Sequence, residues 1–195
     1  MFFTGDINGK RILLHACCGP CSLGAIDPLL SDGADITLYF YDPCIIDGEF
    51  ERRLEAMKTV AEHYALPLIV PTHDRSNYVK YASQHALERE GGERCSLCFS
   101  DRLTDSAKYA AAHGFDMYAT TLTVSPHKNA ERIFSIAQGL DFGAPFLPRD
   151  FKKRDGFLRS TRLSRELGIY RQKFCGCEYS LTAAQAQNAV SGGGV

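Results

Sequence analysis

Apolar positions recur with two different spacings along the chain. Four short apolar runs are typical of buried β-strands, and they lie at Arg11–His15, Ile36–Tyr41, Leu68–Val70 and Met117–Thr123. Capping residues and apolar residues three or four positions apart predict helices at Ser22–Leu30, Glu49–Ala65, Asn77–Glu90 and Cys98–His113. Strands that alternate with helices indicate βαβ units and a parallel sheet covered by helices on both faces. The pattern therefore predicts an α/β fold.

Cysteines change this picture, because seven of the eight fall into three groups. The groups are Cys17, Cys18 and Cys21, then Cys95 and Cys98, then Cys175 and Cys177, while Cys44 stands alone. Thiolates are soft ligands that select iron–sulfur clusters, zinc or copper(I), and separated groups can converge on one centre after folding. The grouping indicates metal or redox chemistry.

The first cysteine group lies where an open parallel sheet binds its ligands, beyond the end of the first strand and before the next helix. Backbone N–H groups at the start of that helix stabilise a negatively charged ligand, such as a thiolate-bound cluster. Buried thiols that act as small hydrophobic residues are the alternative. Three cysteines within five residues at this point favour metal ligation.

The other two groups leave several roles open. A C-x-x-C pair such as Cys95 and Cys98 serves as half of a zinc site, half of a cluster site or a redox dithiol. Together with the first group, it supplies enough ligands for a four-thiolate site. Only Gly176 separates Cys175 from Cys177, which disfavours joint chelation of one ion and favours a strained, readily reduced disulfide. A pair of structural thiols is the alternative for this last group.

Length and composition limit the number of domains and the kinds of protein that the chain can be. The chain has 195 residues, 45% of them hydrophobic, which is enough to bury one substantial core, so we expect a single α/β domain over residues 1–195. Grouped cysteines, without a signal-peptide pattern or an apolar run of membrane-spanning length, predict a cytoplasmic protein with no membrane partner. We expect residues 190–195, which include three consecutive glycines, to form a disordered tail.

Charge is distributed unevenly along the chain. The formal net charge is −1, but residues 149–173, here called the basic stripe, carry nine basic and three acidic residues, a net charge of +6. Aromatic residues are interleaved in the stripe, which leads into the Cys175 and Cys177 pair. Such a stripe suits phosphate groups and unpaired bases, and a solvated helical face with core aromatics explains it equally well. We expect residues 149–181 to form a basic C-terminal segment that completes an active site.

Together these motifs resemble one known family along nearly the whole chain, from about Arg11 to Leu181. The chain is similar to the cobalamin-independent epoxyqueuosine reductases, the QueH family. The matching stretches are His15–Cys21, Phe40–Pro43, Arg52–Ala56, Gly92–Cys95 with Cys98 and Arg102, Thr120–Leu122, Ser125–Asn129, Arg149–Phe151 and, most specific of all, Leu167–Cys177.

Two stretches depart from the family pattern. The residues after Tyr41 usually read Asn-Pro-Asn-Ile-His-Pro, whereas here they read Asp-Pro-Cys-Ile-Ile-Asp over positions 42–47. His127 stands where the family more often has Tyr. On this pattern, Cys44 is expected to be an incidental thiol.

The resemblance implies a fold, cofactors and a reaction. The fold is a Rossmann-like sheet of the PP-loop, or adenine-nucleotide-hydrolase, type, with cysteines in the position of the phosphate loop. The cofactors are a 4Fe-4S cluster and a neighbouring mononuclear iron. The reaction is the reductive deoxygenation of epoxyqueuosine to queuosine at the tRNA anticodon wobble position, the last step of queuosine synthesis. It removes one oxygen as water and consumes two electrons and two protons, so it needs an electron donor, which the sequence does not identify.

The resemblance and the convergence of strand and helix ends assign roles to individual residues. We expect the 4Fe-4S ligands to be Cys17, Cys18, Cys95 and Cys98, with Cys21 as a candidate ligand of the second iron. We expect Cys175 and Cys177 to be the redox-active pair. The candidate proton donors are Asp42, Glu93 and Tyr41. The candidate tRNA-binding residues are Lys152, Lys153, Arg154, Arg171 and Lys128.

Two other classes of protein share parts of this pattern. A PP-loop-like ATP-dependent tRNA sulfur transferase needs a Ser-Gly-Gly-x-Asp-Ser phosphate loop after the first strand, and His15–Ser22 contains no such sequence. A zinc-stabilised nucleic-acid-binding module would keep its thiols ligated and inert. Iron together with acid-labile sulfide would exclude that second class.

Overall fold

The computed structural model describes the backbone of residues 1–191 and the side chains of that range apart from Arg154 and residues 186–191. The strands are β1 (Arg11–Ala16), β2 (Asp35–Phe40), β3 (Leu68–Ile69) and β4 (Met117–Thr120). The helices are α1 (Gly19–Ser31), α2 (Glu49–Tyr64), α3 (Ser76–Gln84), α4 (Glu93–Ala112), α5 (Ala130–Gln138), α6 (Gly156–Glu166) and α7 (Glu178–Ser191). Of the tail expected at residues 190–195, residues 192–195 lie outside the described part of the chain.

The four strands form one parallel sheet in the order β3-β2-β1-β4. β1 pairs along its whole length with β2 and pairs with β4 on its other side. Because parallel strands end at the same edge of a sheet, the loops that follow β1, β2 and β4 meet at one edge. The central position of β1 brings Cys17 and Cys18 to the middle of that edge.

Helices cover both faces of the sheet, as the alternating pattern predicts. Successive side chains of a strand point to opposite faces. Leu14 therefore packs in one core with Leu23 of α1 and Met57 of α2, whereas Leu13 packs in a second core with Leu103 of α4. All four leucines and Met57 are fully buried. The expected α/β architecture is confirmed, while its extent as one domain over residues 1–195 stays a prediction.

Some helix boundaries differ from the prediction, and one difference moves the C-x-x-C pair. α3 ends at Gln84 instead of Glu90, because a turn separates it from α4. The Arg94 guanidinium stabilises this turn, since Nη1 donates to the backbone carbonyls of His85 and Glu88, both at 2.7 Å. α4 begins at Glu93 instead of Cys98, so Cys95 and Cys98 lie within its first turns. None of the described helices is long and apolar enough to span a membrane.

Candidate metal and substrate site

The start of α1 is held against α2 by a position that only glycine fits. A Cβ added at Gly19 would lie 2.8 Å from the carbonyl oxygen of Ala56, so the two backbones touch there. Cys18 is the N-cap residue, in extended conformation, and makes no side-chain capping bond. The positive end of the α1 dipole is therefore left to act on the thiols beside it.

The first thiol group consists of Cys17, Cys18 and Cys21, whose thiols interact closely enough to shift one another's pKa values. The bond with Cys18 and burial raise the pKa of Cys17 well above its ordinary value, whereas the bond from Cys18 lowers the pKa of Cys21. Gln172 Nε2 donates to Cys18 Sγ at 2.9 Å, which ties the group to the C-terminal segment. The structure thus brings together the three thiols that lie together in sequence.

The second thiol group consists of Cys44, Cys98, Cys175 and Cys177. Cys44 Sγ lies within 4.8 Å of Cys98 Sγ, and its interactions with the thiols of Cys175, Cys177 and Cys98 raise the pKa of Cys44 well above its ordinary value. The bond from Cys44 is the largest cause that lowers the pKa values of Cys175 and Cys177 to about 5. The isolated position of Cys44 in sequence is therefore misleading, because in the structure it lies beside an expected cluster ligand and accepts a hydrogen bond from Arg102. That its thiol is incidental to the chemistry stays a prediction.

A buried arginine lies between the two thiol groups. Arg102 is fully buried, and its Nη2 donates to Asp42 Oδ1 at 2.7 Å and to Cys44 Sγ at 2.9 Å. Its charge also acts on Cys98 and Cys17. Arg102 Nε and Nη1 have no hydrogen-bond partner among the described residues. A buried cation requires anionic partners, so the Arg102 guanidinium stabilises negatively charged thiolates at this place.

A cavity of about 400 Å³ opens beside the thiols. All of the first thiol group lines it, together with Cys175, and so do four basic residues, which are Arg53, Lys128, Arg171 and Lys173. An adjoining cavity of about 90 Å³ is lined by Cys95, and Cys175 and Lys128 line both cavities. Burial acts to lower the pKa of Lys128, but the charges of Cys175, Cys17 and Cys21 outweigh it and raise that pKa. The larger cavity suits an anionic substrate.

A second buried arginine, Arg53, holds the C-x-C loop, residues 175–177. In the sequence, Arg53 was noted only as part of the family-matching stretch Arg52–Ala56. Arg53 Nη1 donates to the Cys175 carbonyl at 2.8 Å and Nη2 to the Phe174 carbonyl at 3.0 Å. Its Nε donates to Glu49 Oε1 at 2.7 Å. Gly176 has φ +127, and a Cβ there would lie 3.0 Å from Arg53 Nη1. The sequence feature that could have indicated this contact is an arginine on the apolar face of the helix predicted at Glu49–Ala65.

The candidate tRNA-binding residues differ in whether their charged groups are exposed, line the large cavity or are already bound by other groups of the chain. Lys128 and Arg171 line the large cavity. Lys152 Nζ donates to the carbonyls of Thr123 and Lys128, both at 3.2 Å, and pairs with Asp150. Lys153 is exposed, while the Arg154 side chain lies outside the described residues. Elsewhere in the basic stripe, charges are satisfied within the chain by Arg149–Asp32 and Arg162–Glu166 pairs.

The candidate proton donors are also placed differently. Asp42 is buried against Arg102 and is not open to the large cavity. Glu93 is exposed at the start of α4 and pairs with Arg132 at 3.5 Å. Burial and the charge of Asp101 raise the pKa of Tyr41, so its phenol keeps its proton. Glu90, which was not among the residues expected from sequence, lines both cavities, and no other Asp or Glu of the described residues lines either of them.

Comparison with known proteins agrees with these features. A sequence model of the family described as "Epoxyqueuosine reductase QueH" matches residues 12–183. The chain belongs to the QueH family. Relatives named epoxyqueuosine reductase QueH include that of Streptococcus pyogenes, which is 36% identical over 87% of this chain and 69% of its own length. The relative from Staphylococcus epidermidis is 34% identical, over 90% and 78%. That of Thermotoga maritima is 33% identical, over 91% and 94%.

Among solved structures, the chain is similar to the U34-tRNA thiolase NcsA from Methanococcus maripaludis, which was solved with its [4Fe-4S] cluster. The TM-score is 0.56 at 11% sequence identity, and the match covers 95% of this chain and 67% of that protein. At this identity the likeness shows the fold alone. It confirms the expected Rossmann-like sheet of the PP-loop type.

Proposed function

We propose that this QueH-family protein is an epoxyqueuosine reductase, which converts epoxyqueuosine in the tRNA anticodon to queuosine as the last step of queuosine synthesis. The observation that carries the proposal is the meeting of the cysteine groups with basic side chains around one cavity, in a chain whose relatives have this name. Unpaired anticodon bases can be splayed into such a pocket. The phosphates flanking the base would meet Lys128, Arg171 and Lys173.

The proposal includes a 4Fe-4S cluster bound by Cys17, Cys18, Cys95 and Cys98, with a neighbouring iron for which Cys21 is a candidate ligand. The donor set fits, because cysteine thiolates are the usual ligands of such clusters. The unpartnered nitrogens of Arg102 support an anionic group at this place. When bound, the cluster supplies electrons one at a time, and the protein contributes binding, orientation and electrostatics.

The chain's own residues would complete the reduction. Oxidation of the Cys175 and Cys177 dithiol to a disulfide releases two electrons. With two protons, drawn from the thiols and solvent, these electrons convert the epoxide to an alkene and release its oxygen as water. Arg53 holds the backbone of this loop beside the cavity. An external electron donor must then reduce the disulfide, because each turnover consumes two electrons.

Anaerobic purification followed by iron, sulfide and electron-paramagnetic-resonance analysis tests the cofactor. An assay on tRNA that carries epoxyqueuosine tests the reaction. We expect iron and acid-labile sulfide in equal amounts at the cluster, and formation of queuosine. Loss of the cluster signal in Cys95→Ser supports the ligand set, and an unchanged spectrum in that variant would reject it. Zinc without sulfide would instead indicate a nucleic-acid-binding module, and ATP-dependent sulfur incorporation would indicate a tRNA sulfur transferase.

A further inference from the structure

The side chain of Gln172 connects the C-terminal segment with the first thiol group. Its Nε2 donates to Cys18 Sγ at 2.9 Å, across 154 positions of sequence. Gln172 also lines the large cavity, together with its neighbours Arg171 and Lys173. The function proposed above uses the two basic neighbours but gives no role to the amide between them.

The orientation of this carboxamide indicates the state of the sulfur beside it. Gln172 Oε1 is buried and has no hydrogen-bond partner among the described residues. With the amide turned over, Oε1 would face Cys18 Sγ and could accept from a thiol S–H. The observed orientation instead leaves Oε1 unpaired, at a cost in free energy, and presents an N–H to the sulfur. That arrangement suits a sulfur that only accepts, which is a free or a metal-bound thiolate.

The backbone on either side of Gln172 is anchored to the rest of the fold. Arg171 Nη1 donates to Ser164 Oγ of α6 at 3.1 Å, and the Phe174 carbonyl accepts from Arg53 Nη2 at 3.0 Å. Gln172 lies between these two anchors. Its bond to the sulfur therefore costs little conformational entropy, because the segment is already held in place.

A hydrogen bond to the sulfur of a cluster ligand changes the reduction potential of the cluster. Reduction adds negative charge to the thiolates, so an N–H donor stabilises the reduced state more than the oxidised state and raises the potential. Cys95 Sγ, another expected ligand, accepts from the backbone N–H of Gly91 at 3.3 Å, whereas Cys18 Sγ accepts from the Gln172 side chain. Of these two donors, the second can be removed by a substitution that keeps the backbone.

We propose that Gln172 is a positioning residue that raises the reduction potential of the centre bound through Cys18. The proposal rests on the function proposed above, because it takes Cys18 as a cluster ligand. A centre of higher potential is reduced more readily by an external electron donor, which the proposed reaction requires at every turnover. The hydrogen bond therefore favours the entry of electrons from that donor.

A redox titration of anaerobically purified protein, followed by electron paramagnetic resonance, tests the proposal without an activity assay. Gln172→Met keeps an unbranched side chain of similar length but has no N–H. At a fixed solution potential, we expect its ratio of reduced to oxidised centre to fall about fivefold, a shift of about 40 mV for a one-electron couple. Gln172→Glu should lower the potential further, because it also places negative charge beside the sulfur. The matched control is Tyr170→Phe, which loses hydrogen bonds to Glu49 on the same segment and should leave the potential unchanged.

Electron–nuclear double resonance in H₂O and D₂O supplies a second measurement. We expect an exchangeable proton coupled to the reduced centre, which Gln172→Met loses and Tyr170→Phe keeps. Equal potentials in the wild type and Gln172→Met would overturn the proposal, and so would an equal shift in Tyr170→Phe. Loss of iron and sulfide from both Gln172 variants would also overturn it, because the amide would then be needed to hold the cluster. Wild-type protein without iron and sulfide would reject the cofactor as well, whereas an intact cluster with an unchanged potential rejects this inference alone.

Discussion

The two thiol groups are built in opposite ways. The first comes from five consecutive positions at the junction of β1 and α1, with Cys21 in the first turn of α1, and the sheet topology alone fixes its place. The second is assembled from the loop after β2, the start of α4 and the segment before α7, and buried arginines hold its backbone and charges. Cysteines that are adjacent in sequence are brought together by the local backbone alone. Cysteines from separate segments need further side chains, here the buried arginines, to hold those segments together. We expect substitutions outside the cysteines to affect the second group far more than the first.

The largest expected effect separates the groups by role. The double variant Cys175→Ser, Cys177→Ser removes the proposed two-electron store but none of the expected cluster ligands. We expect it to keep its iron and sulfide and to bind tRNA, yet to fail at multiple turnover. Queuosine formed per enzyme, measured with excess epoxyqueuosine tRNA, checks this. Loss of the cluster would make these residues ligands, and full activity would make them bystanders.

The next effect concerns the stability of the second group. Arg102→Gln leaves Asp42 buried without its cation, and removal of one partner from a buried pair costs about 3–5 kcal/mol in the free energy of unfolding. Urea unfolding of the metal-free, reduced protein measures it. The control is Arg162→Gln, which breaks an exposed pair with Glu166 and should cost less than about 1 kcal/mol. Equal losses in the two variants would show that Arg102 has no special role.

A smaller effect should follow from loosening the C-x-C loop. Arg53→Lys keeps the charge, but an ammonium cannot hold two carbonyls and a carboxylate in the planar arrangement of a guanidinium. We expect a loss of about 2 kcal/mol of stability and faster labelling of Cys175 and Cys177 by a thiol reagent. The control is Arg52→Lys, since Arg52 is exposed and stacks on Tyr170. Unchanged labelling in Arg53→Lys would mean that the loop is held by other contacts.

The smallest effect is on the salt dependence of tRNA binding. If Lys128 meets a phosphate, Lys128→Ala should flatten the slope of log K against log salt by about 0.7 for single-stranded RNA. Replacing Lys152, Lys153 and Arg154 together should flatten it by roughly two to three if each meets a phosphate. Because the Lys152 ammonium already donates to two carbonyls, we expect the lower figure. Filter binding at several salt concentrations measures both, and no change would leave the basic stripe as a solvated face.

Features that depend on local order in the sequence could be predicted from it. The β1–loop–α1 arrangement, the parallel sheet and the position of the first thiol group all follow from periodicity and strand order. The position of Cys44 beside other thiols could not be predicted, because Cys98, Cys175 and Cys177 lie 54 or more positions away and no local pattern marks them. The arginines were equally hidden, since burial of a cation depends on anions supplied by other segments. Even the start of α4 was misplaced, because Arg94 and the turn before it fix that boundary.

The bonds from Arg53 to the carbonyls of Phe174 and Cys175 span 121 and 122 residues of chain. Contacts so distant in sequence can form only after the chain up to Cys175 has left the ribosome. The sheet and the first thiol group are complete long before, so for a time the nascent protein presents one set of thiols without the other. Docking of the C-terminal segment is therefore a late step in biogenesis, and any metal delivered before it would meet an open, incomplete site.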